Sequence, residues 1–173
     1  MTDSPPRSVS IQFSCLHTSG PHPNQAPEPL SELKKGNGHI HGGLEILING
    51  RSLPRIPFGR GDICLGEWIG VLGYLMTLAR SDDDYTCEFD PTEQGYSKFL
   101  FRVEGPGAFV SIVSSPIGGG QADPEWQDVR CDRTDLAEAI LEFLSRLKGA
   151  IVRDAGEAGR DWWKSCNGDF YVA

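Results

Sequence analysis

Apolar and polar residues alternate along several short segments of the chain, and this alternation predicts β-strands. Residues 8–15 carry apolar side chains at every second position, which is typical of a half-buried strand. A second strand is predicted at residues 44–50, because it ends in Asn49-Gly50, a strong tight-turn signal. Four further strands, each bounded by turn residues, are predicted at residues 85–90, 98–104, 108–114 and 125–131.

Two longer segments repeat apolar residues with the period of an α-helix. The first covers residues 63–80, with Asp62 as its predicted N-cap. Its glycines Gly66, Gly70 and Gly73 form a nearly smooth stripe, so we expect another backbone, most simply a sheet, to approach this face. The second helix is capped by Asp132 or Thr134 and predicted to end at Gly156 or Gly159, and its apolar positions are Leu136, Ile140, Phe143, Leu147 and Ile151.

The order of these elements predicts an α+β fold, a twisted antiparallel sheet of about five to six strands with two main helices packed on one face. The length of 173 residues predicts a single domain spanning residues 1–173. Residues 16–42 are rich in proline and glycine and are interpreted as a long irregular loop. The tail at residues 155–173 carries four aromatic residues, so we expect it to pack back on the domain.

Charge is distributed unevenly along the chain. Residues 62–142 hold 16 acidic and 5 basic residues, a local charge of −11, although the whole chain carries only −8. An acidic face on a folded domain favours a basic protein partner and disfavours nucleic acid and anionic membranes. The predicted partner-binding residues are Asp82, Asp83, Asp84, Glu88, Asp90 and Glu93.

The cysteines and the N-terminus predict a protein of a reducing compartment. The 5 cysteines have no CxxC spacing, and the first residues lack the apolar segment of a signal peptide, so we expect reduced thiols and a cytoplasmic location. The apolar run at residues 63–79 contains Glu67 and is at the short limit for crossing a membrane. It is interpreted as a buried helix.

Candidate chemistry in the chain is weak, and we expect no enzyme activity, no metal and no cofactor. Cys64 lies in the first turn of a predicted helix, where a thiolate is favoured, but a core cysteine is the simpler interpretation because every histidine lies upstream. The run Gly118-Gly119-Gly120 lacks the lysine of a phosphate-binding loop. The alternative is a metal-binding protein or enzyme that uses Cys15, His17, His39 and His41, which have no diagnostic spacing.

Two segments, together with the size and acidity of the chain, carry a family resemblance. The EFDPTEQGYSKFLFRVEGPGAFVSI segment and the terminal DLAEAILEFLSRL helix are similar to those of small acidic immunity proteins encoded beside bacterial polymorphic or contact-dependent toxins. The resemblance implies an inhibitor that masks a toxin, often a basic nuclease, through charge-complementary contact. A self-associating structural subunit that uses residues 16–42 and the aromatic tail is a further alternative.

Overall fold

Two helices and two antiparallel sheets make up the described part of the chain, and the predicted α+β class is confirmed. A computed structural model describes residues 7–19, 26–36, 38–53, 63–90, 97–114 and 120–166. In chain order the elements are β1 (Val9–Ser19), a 3-10 turn (Leu30–Glu32), β2 (His39–Ile48), β3 (Arg51–Ser52), β4 (Ile63–Cys64), α1 (Leu65–Arg80), β5 (Tyr85–Phe89), β6 (Lys98–Glu104), β7 (Gly107–Val113), β8 (Val129–Asp132) and α2 (Arg133–Ser165). Neither of these helices has a stretch long and apolar enough to cross a membrane.

The strands form two sheets, where the sequence predicted one. In the first sheet β1 pairs with β2, and β2 also pairs with β3 and β4. In the second sheet the strands follow the order β5-β6-β7-β8, and the predicted hairpin of β6 and β7 is confirmed. The sheets meet through side chains, since Asn49 Nδ2 donates to the Arg130 carbonyl over 2.8 Å and Arg51 donates to the Glu125 carbonyl over 3.1 Å.

One layer of helices covers both sheets. Helix α1 contacts β2, β5 and β6, and α2 contacts β1, β7 and β8. The buried residues of all these elements form one hydrophobic cluster. Trp68 of α1 lies at its centre, with ring centroids 4.9 Å from Phe89 and 5.6 Å from Phe99.

The irregular loop predicted at residues 16–42 is shorter than expected. Strand β1 continues to Ser19 and β2 already begins at His39, in register from Ser19↔His39 to Val9↔Ile48. A bulge between Ser14 and His17 places Cys15 at a φ of 51°, and this irregularity breaks the simple alternation there. At the other end of β2 the predicted Asn49-Gly50 turn is confirmed, with φ values of 51° and 76°.

Helix α1 begins later than predicted. Its N-cap is Cys64, and the predicted cap Asp62 lies outside the described residues. At two of its three glycines the stripe does not face a sheet as expected: a Cβ at Gly66 would lie 3.2 Å from Cys166 Sγ and 3.6 Å from Trp162 Cζ2, whereas one at Gly70 would meet nothing within 4 Å. The close approach at Gly66 is therefore to the end of α2.

Helix α2 confirms the predicted apolar face and extends beyond it. Leu136, Ile140, Phe143, Leu147 and Ile151 are all buried. The carboxylate of Asp132 caps the helix by accepting from the amides of Thr134 and Asp135.

The sequence predicts that the helix ends at Gly156 or Gly159, but the helix continues beyond both residues. Gly156 has a φ of 58° and a ψ of −126°, which kinks the helix, and helical structure resumes up to Ser165. The first part of the predicted tail is therefore helical. Trp163 is buried in the core, while residues 167–173 lie outside the described part.

The last strand is shorter than the 125–131 segment predicted. Val129–Asp132 forms the ladder with β7, whereas Trp126 reaches β7 through a backbone hydrogen bond, in which its carbonyl accepts from the Ile112 amide over 2.8 Å. Trp126 is nevertheless buried, with the Arg51 guanidinium carbon 5.0 Å from its ring centroid. Because Trp126 is buried outside a regular strand, the residues around it do not alternate regularly between apolar and polar.

Candidate functional site

Five of the six predicted partner-binding residues are exposed and lie on consecutive parts of the chain. We call Asp82, Asp83, Asp84, Glu88 and Asp90 the acidic surface. The three aspartates occupy the loop that follows α1, Glu88 is on β5, and Asp90 directly follows β5. Glu93, the sixth predicted residue, lies outside the described residues.

Arg133, the first residue of α2, fixes the loop that carries the three aspartates. Its guanidinium donates to the backbone carbonyls of Leu78, Ala79, Ser81, Asp83 and Gly105. The distance from Nε to the Ala79 oxygen is 2.9 Å, and that from Nη2 to the Asp83 oxygen is 3.0 Å. The cation thus satisfies carbonyls at the C-terminus of α1, where the helix dipole favours positive charge.

A second contact ties the same loop to the turn between β6 and β7. The Asp84 carboxylate accepts from the Gly105 amide over 2.9 Å. Asp84 therefore has a structural role in addition to its charge, whereas no contact made by the side chain of Asp82 or Asp83 is seen among the described residues. No pattern in the sequence predicted either anchor, because Arg133 and Gly105 are distant from the loop along the chain.

Lys98 partly neutralises the acidic surface at its β5 end. Its Nζ lies 2.7 Å from Glu88 Oε1 and 3.4 Å from Asp90 Oδ2. The hydrogen bond from Lys98 to Glu88, then that to Asp90, raises the pKa of the lysine above its usual value. The negative charge is therefore concentrated at Asp82–Asp84 rather than spread evenly over the five described residues of the acidic surface.

The outer face of the second sheet is mixed in charge beyond this point. Arg102 pairs with Glu104 and lies 3.2 Å from Asp128, and its guanidinium carbon is 4.0 Å from the Phe109 ring centroid. These pairs are solvent-exposed, so each contributes little to stability. They do set the boundary of the acidic surface, which ends at β6.

Strand β5 is the terminal strand of its sheet. It pairs with β6 on one side, and no other strand in the described ranges pairs with it. An edge of this kind presents backbone amides and carbonyls to solvent, and charged side chains along it discourage pairing with uncharged strands. The acidic side chains would favour pairing of β5 with a strand that carries basic residues.

The histidines that formed the alternative site lie close together. The ring centroids of His17 and His41 are 5.8 Å apart, and those of His39 and His41 are 6.4 Å apart. His17 Nδ1 lies 2.9 Å from the Cys15 carbonyl oxygen, and His22 lies outside the described residues. Within the described ranges, no three side chains of His, Cys, Asp or Glu converge to hold a metal ion.

An open groove of about 1000 Å³ lies between the start of α1 and the end of α2. Its lining includes Cys64, Cys166 and His39. Lys35 and Asp161 also line the groove, and Lys35 Nζ pairs with Asp161 Oδ2 at 2.8 Å. Cys64 is half-buried in this wall, so its interpretation as a core cysteine is wrong. Sequence reasoning missed the groove because residues so far apart along the chain carry no shared pattern.

The cysteine environments differ. Burial, followed by the charges of Asp132 and Asp135, raises the pKa of Cys131 to about 12, which makes this thiol inert near neutral pH. The pKa of Cys166 is also raised, first by burial and more weakly by the charge of Cys64, against a lowering hydrogen bond from Ser165. Burial raises the pKa of Cys87 as well.

Comparison with known proteins identifies no relative of this chain. No family model, no curated protein and no solved structure matches it. The function is therefore argued from the chain's own residues and from their geometry.

Proposed function

We propose that this protein is a non-catalytic binding protein that docks a basic protein partner on its acidic surface, and that the partner is a bacterial toxin that it neutralises as an immunity protein. The observation that carries the proposal is the exposure of five carboxylates beside the open edge of β5. The toxin as partner comes from the resemblance described above. The acidic surface is what supports a basic partner.

The charge distribution supports fast and selective association with such a partner. Lys98 pairs with Glu88 and Asp90, while no ion pair of Asp82, Asp83 or Asp84 is seen among the described residues, so the surface stays negative at its aspartate end. Fields of this kind steer basic proteins to the binding face and raise the association rate, and they repel nucleic acid.

The rigidity of the aspartate loop supports the same proposal. Arg133 and the Asp84–Gly105 hydrogen bond hold the loop before any partner arrives. A surface that is already ordered loses less conformational entropy on binding, so more of the interaction free energy appears as affinity.

The test is a quadruple variant that removes charge without disturbing the anchors. Asp84 is left in place because it accepts from Gly105. The control variant removes the same number of exposed charges elsewhere, so that both proteins have the same net charge. The test variant is Asp82→Asn/Asp83→Asn/Glu88→Gln/Asp90→Asn, and the control is Glu32→Gln/Glu45→Gln/Glu125→Gln/Glu157→Gln.

Tagged wild type and both variants are used for capture from the native cell, and the retained protein is purified for kinetics at several salt concentrations. We expect one basic protein that inhibits growth when expressed alone, and whose association with the test variant at low salt is about tenfold slower. The control variant should associate like wild type. Equal rates and equal salt slopes for all three proteins would show that the acidic surface is not the docking face.

If the retained protein is harmless to cells, the chain would still be a binding protein, but the immunity role would be refuted. Zinc or iron analysis of untagged wild type and of the His39→Ala/His41→Ala variant addresses the alternative function. Stoichiometric metal that the variant loses would contradict the proposal of a non-catalytic, metal-independent binder.

A further inference from the structure

Cys64 and Cys166 occupy the two helix ends that meet in the groove. Cys64 is the N-cap of α1 and Cys166 is the C-cap of α2. Both are half-buried and both line the same groove of about 1000 Å³. A small reagent that enters the groove therefore meets the walls that contain both cysteines.

The start of α1 and the end of α2 approach each other closely at Gly66. A Cβ at this position would stand 3.2 Å from Cys166 Sγ, so the missing side chain lets the sulfur lie against the first turn of α1. Gly66 is two residues beyond Cys64. The charge of Cys64 is also one of the causes that raise the pKa of Cys166, which places the two sulfurs within electrostatic range.

We propose that Cys64 and Cys166 are a reversible disulfide site that reacts with a small disulfide such as glutathione disulfide. Disulfides in proteins join cysteines whose Cα atoms lie within about 7 Å. The sulfur of Cys166 already lies against Gly66, two residues along the chain from Cys64. In a reducing compartment such bonds are transient and respond to redox conditions.

Cys64 is the attacking thiol, because the N-terminus of α1 favours its thiolate and burial disfavours that of Cys166. The Cys64 thiolate attacks one sulfur of glutathione disulfide, which breaks the S–S bond and releases one glutathione thiolate. The Cys166 thiolate then attacks the Cys64 sulfur of the mixed disulfide and releases the second. The two cysteine protons end on the two released glutathione molecules, so two thiols are oxidised and one disulfide is reduced.

The other cysteines lack this arrangement. Cys131 is buried, and its high pKa makes it unreactive. Cys15 lies exposed on the β1 bulge and Cys87 lies on β5, and neither lines the groove. These three residues therefore provide internal controls within the same chain.

The bond would link the start of α1 to the end of α2 across the groove. It would constrain a chain segment of about 100 residues in the unfolded state, which stabilises the folded protein. The acidic surface follows the opposite end of α1, roughly 24 Å away along the helix axis, so this site and the proposed partner-binding site can be tested separately.

The test treats the purified, fully reduced chain with glutathione disulfide and maps its peptides without reduction. We expect a Cys64–Cys166 cross-linked peptide, one disulfide per monomer on a non-reducing gel, and a thermal midpoint several degrees higher that dithiothreitol reverses. Cys64→Ser and Cys166→Ser should each abolish the cross-link and the stabilisation. Cys15→Ser and Cys87→Ser should leave both intact.

The serine variants also separate the two steps. In Cys166→Ser the glutathione mixed disulfide should accumulate on Cys64. In wild type, three products would overturn the proposal: a stable mixed disulfide on Cys64, a disulfide from Cys64 or Cys166 to another cysteine, or a disulfide between two molecules. The proposal would also fail if Cys64 and Cys166 stay reduced while Cys15 is modified.

Discussion

At the scale of single residues, Arg133 connects three separate parts of the described structure. One guanidinium joins the C-terminus of α1, the aspartate loop and the turn after β6. Sequence reasoning assigned this arginine no role. Its role follows from a fork of five N–H donors, which a lysine cannot reproduce.

We predict that Arg133→Ala lowers the free energy of unfolding by about 2–4 kcal/mol, because several carbonyls lose a charged donor. Arg133→Lys should fall between Ala and wild type, since it keeps the charge and loses the fork. Urea denaturation measures the change, and amide exchange at residues 81–84 should accelerate in both variants.

The control is Arg160→Ala, an exposed arginine of α2 whose loss should change stability by less than about 0.5 kcal/mol. If Arg133→Ala is no less stable than this control, the contacts to the five carbonyls contribute nothing.

At the scale of elements, local patterns located the helices and most strands but, apart from the β6–β7 hairpin, not the partners of the strands. The period of Leu136, Ile140 and Phe143 predicted the buried face of α2, because a 3.6-residue repeat depends on the helix alone. The pairing of strands into two sheets depends on contacts between distant segments, which alternation does not encode. The kink at Gly156 was missed for a related reason: beyond it Trp162 packs against the core and Trp163 is buried in it, and these contacts are with distant segments.

The kink makes a specific prediction about two glycines of α2. A Cβ at Gly159 would lie 2.7 Å from the Ile151 carbonyl oxygen and 3.0 Å from the Ala155 Cβ, whereas one at Gly149 would meet nothing within 4 Å. Gly159→Ala should therefore destabilise the protein by about 1–3 kcal/mol through overpacking. Gly149→Ala should stabilise it by up to about 1 kcal/mol through helix propensity.

Thermal or urea unfolding of the two variants checks the pair, since the substitution is identical and only the surroundings differ. A stabilising Gly159→Ala would mean that the chain does not fold back on Ile151 in solution.

At the scale of the whole molecule, the structure adds ion pairs that the charge analysis did not include. The five described acidic positions are exposed, as their polar character predicted, yet Glu88 and Asp90 share Lys98. The partner of a charge across a sheet depends on strand register, which a single sequence does not fix. For the same reason the groove was not foreseen, although Cys64 and the histidines had each been considered.

The Lys35–Asp161 ion pair connects two distant segments across this groove. The hydrogen bond from Lys35 holds the pKa of Asp161 below its usual range, and the same bond raises the pKa of Lys35. A lowered carboxyl pKa contributes stability above the ordinary Asp value of about 3.9, and this contribution is lost as pH falls through the folded value. The raised pKa of Lys35 contributes stability below the ordinary lysine value of about 10.4, and this contribution is lost as pH rises through the folded value.

We therefore predict that Lys35→Gln returns the pKa of Asp161 toward its ordinary value, measured by carboxyl ¹³C NMR titration. Any difference in thermal midpoint from wild type should be present between about pH 5 and 9 and vanish in acid, where Asp161 is protonated in both proteins. Lys34→Gln is the matched control, because Lys34 also lines the groove but is not among the causes of the Asp161 shift. An Asp161 pKa that moves equally in both variants would show that the general field of the lysines, rather than the ion pair, lowers it.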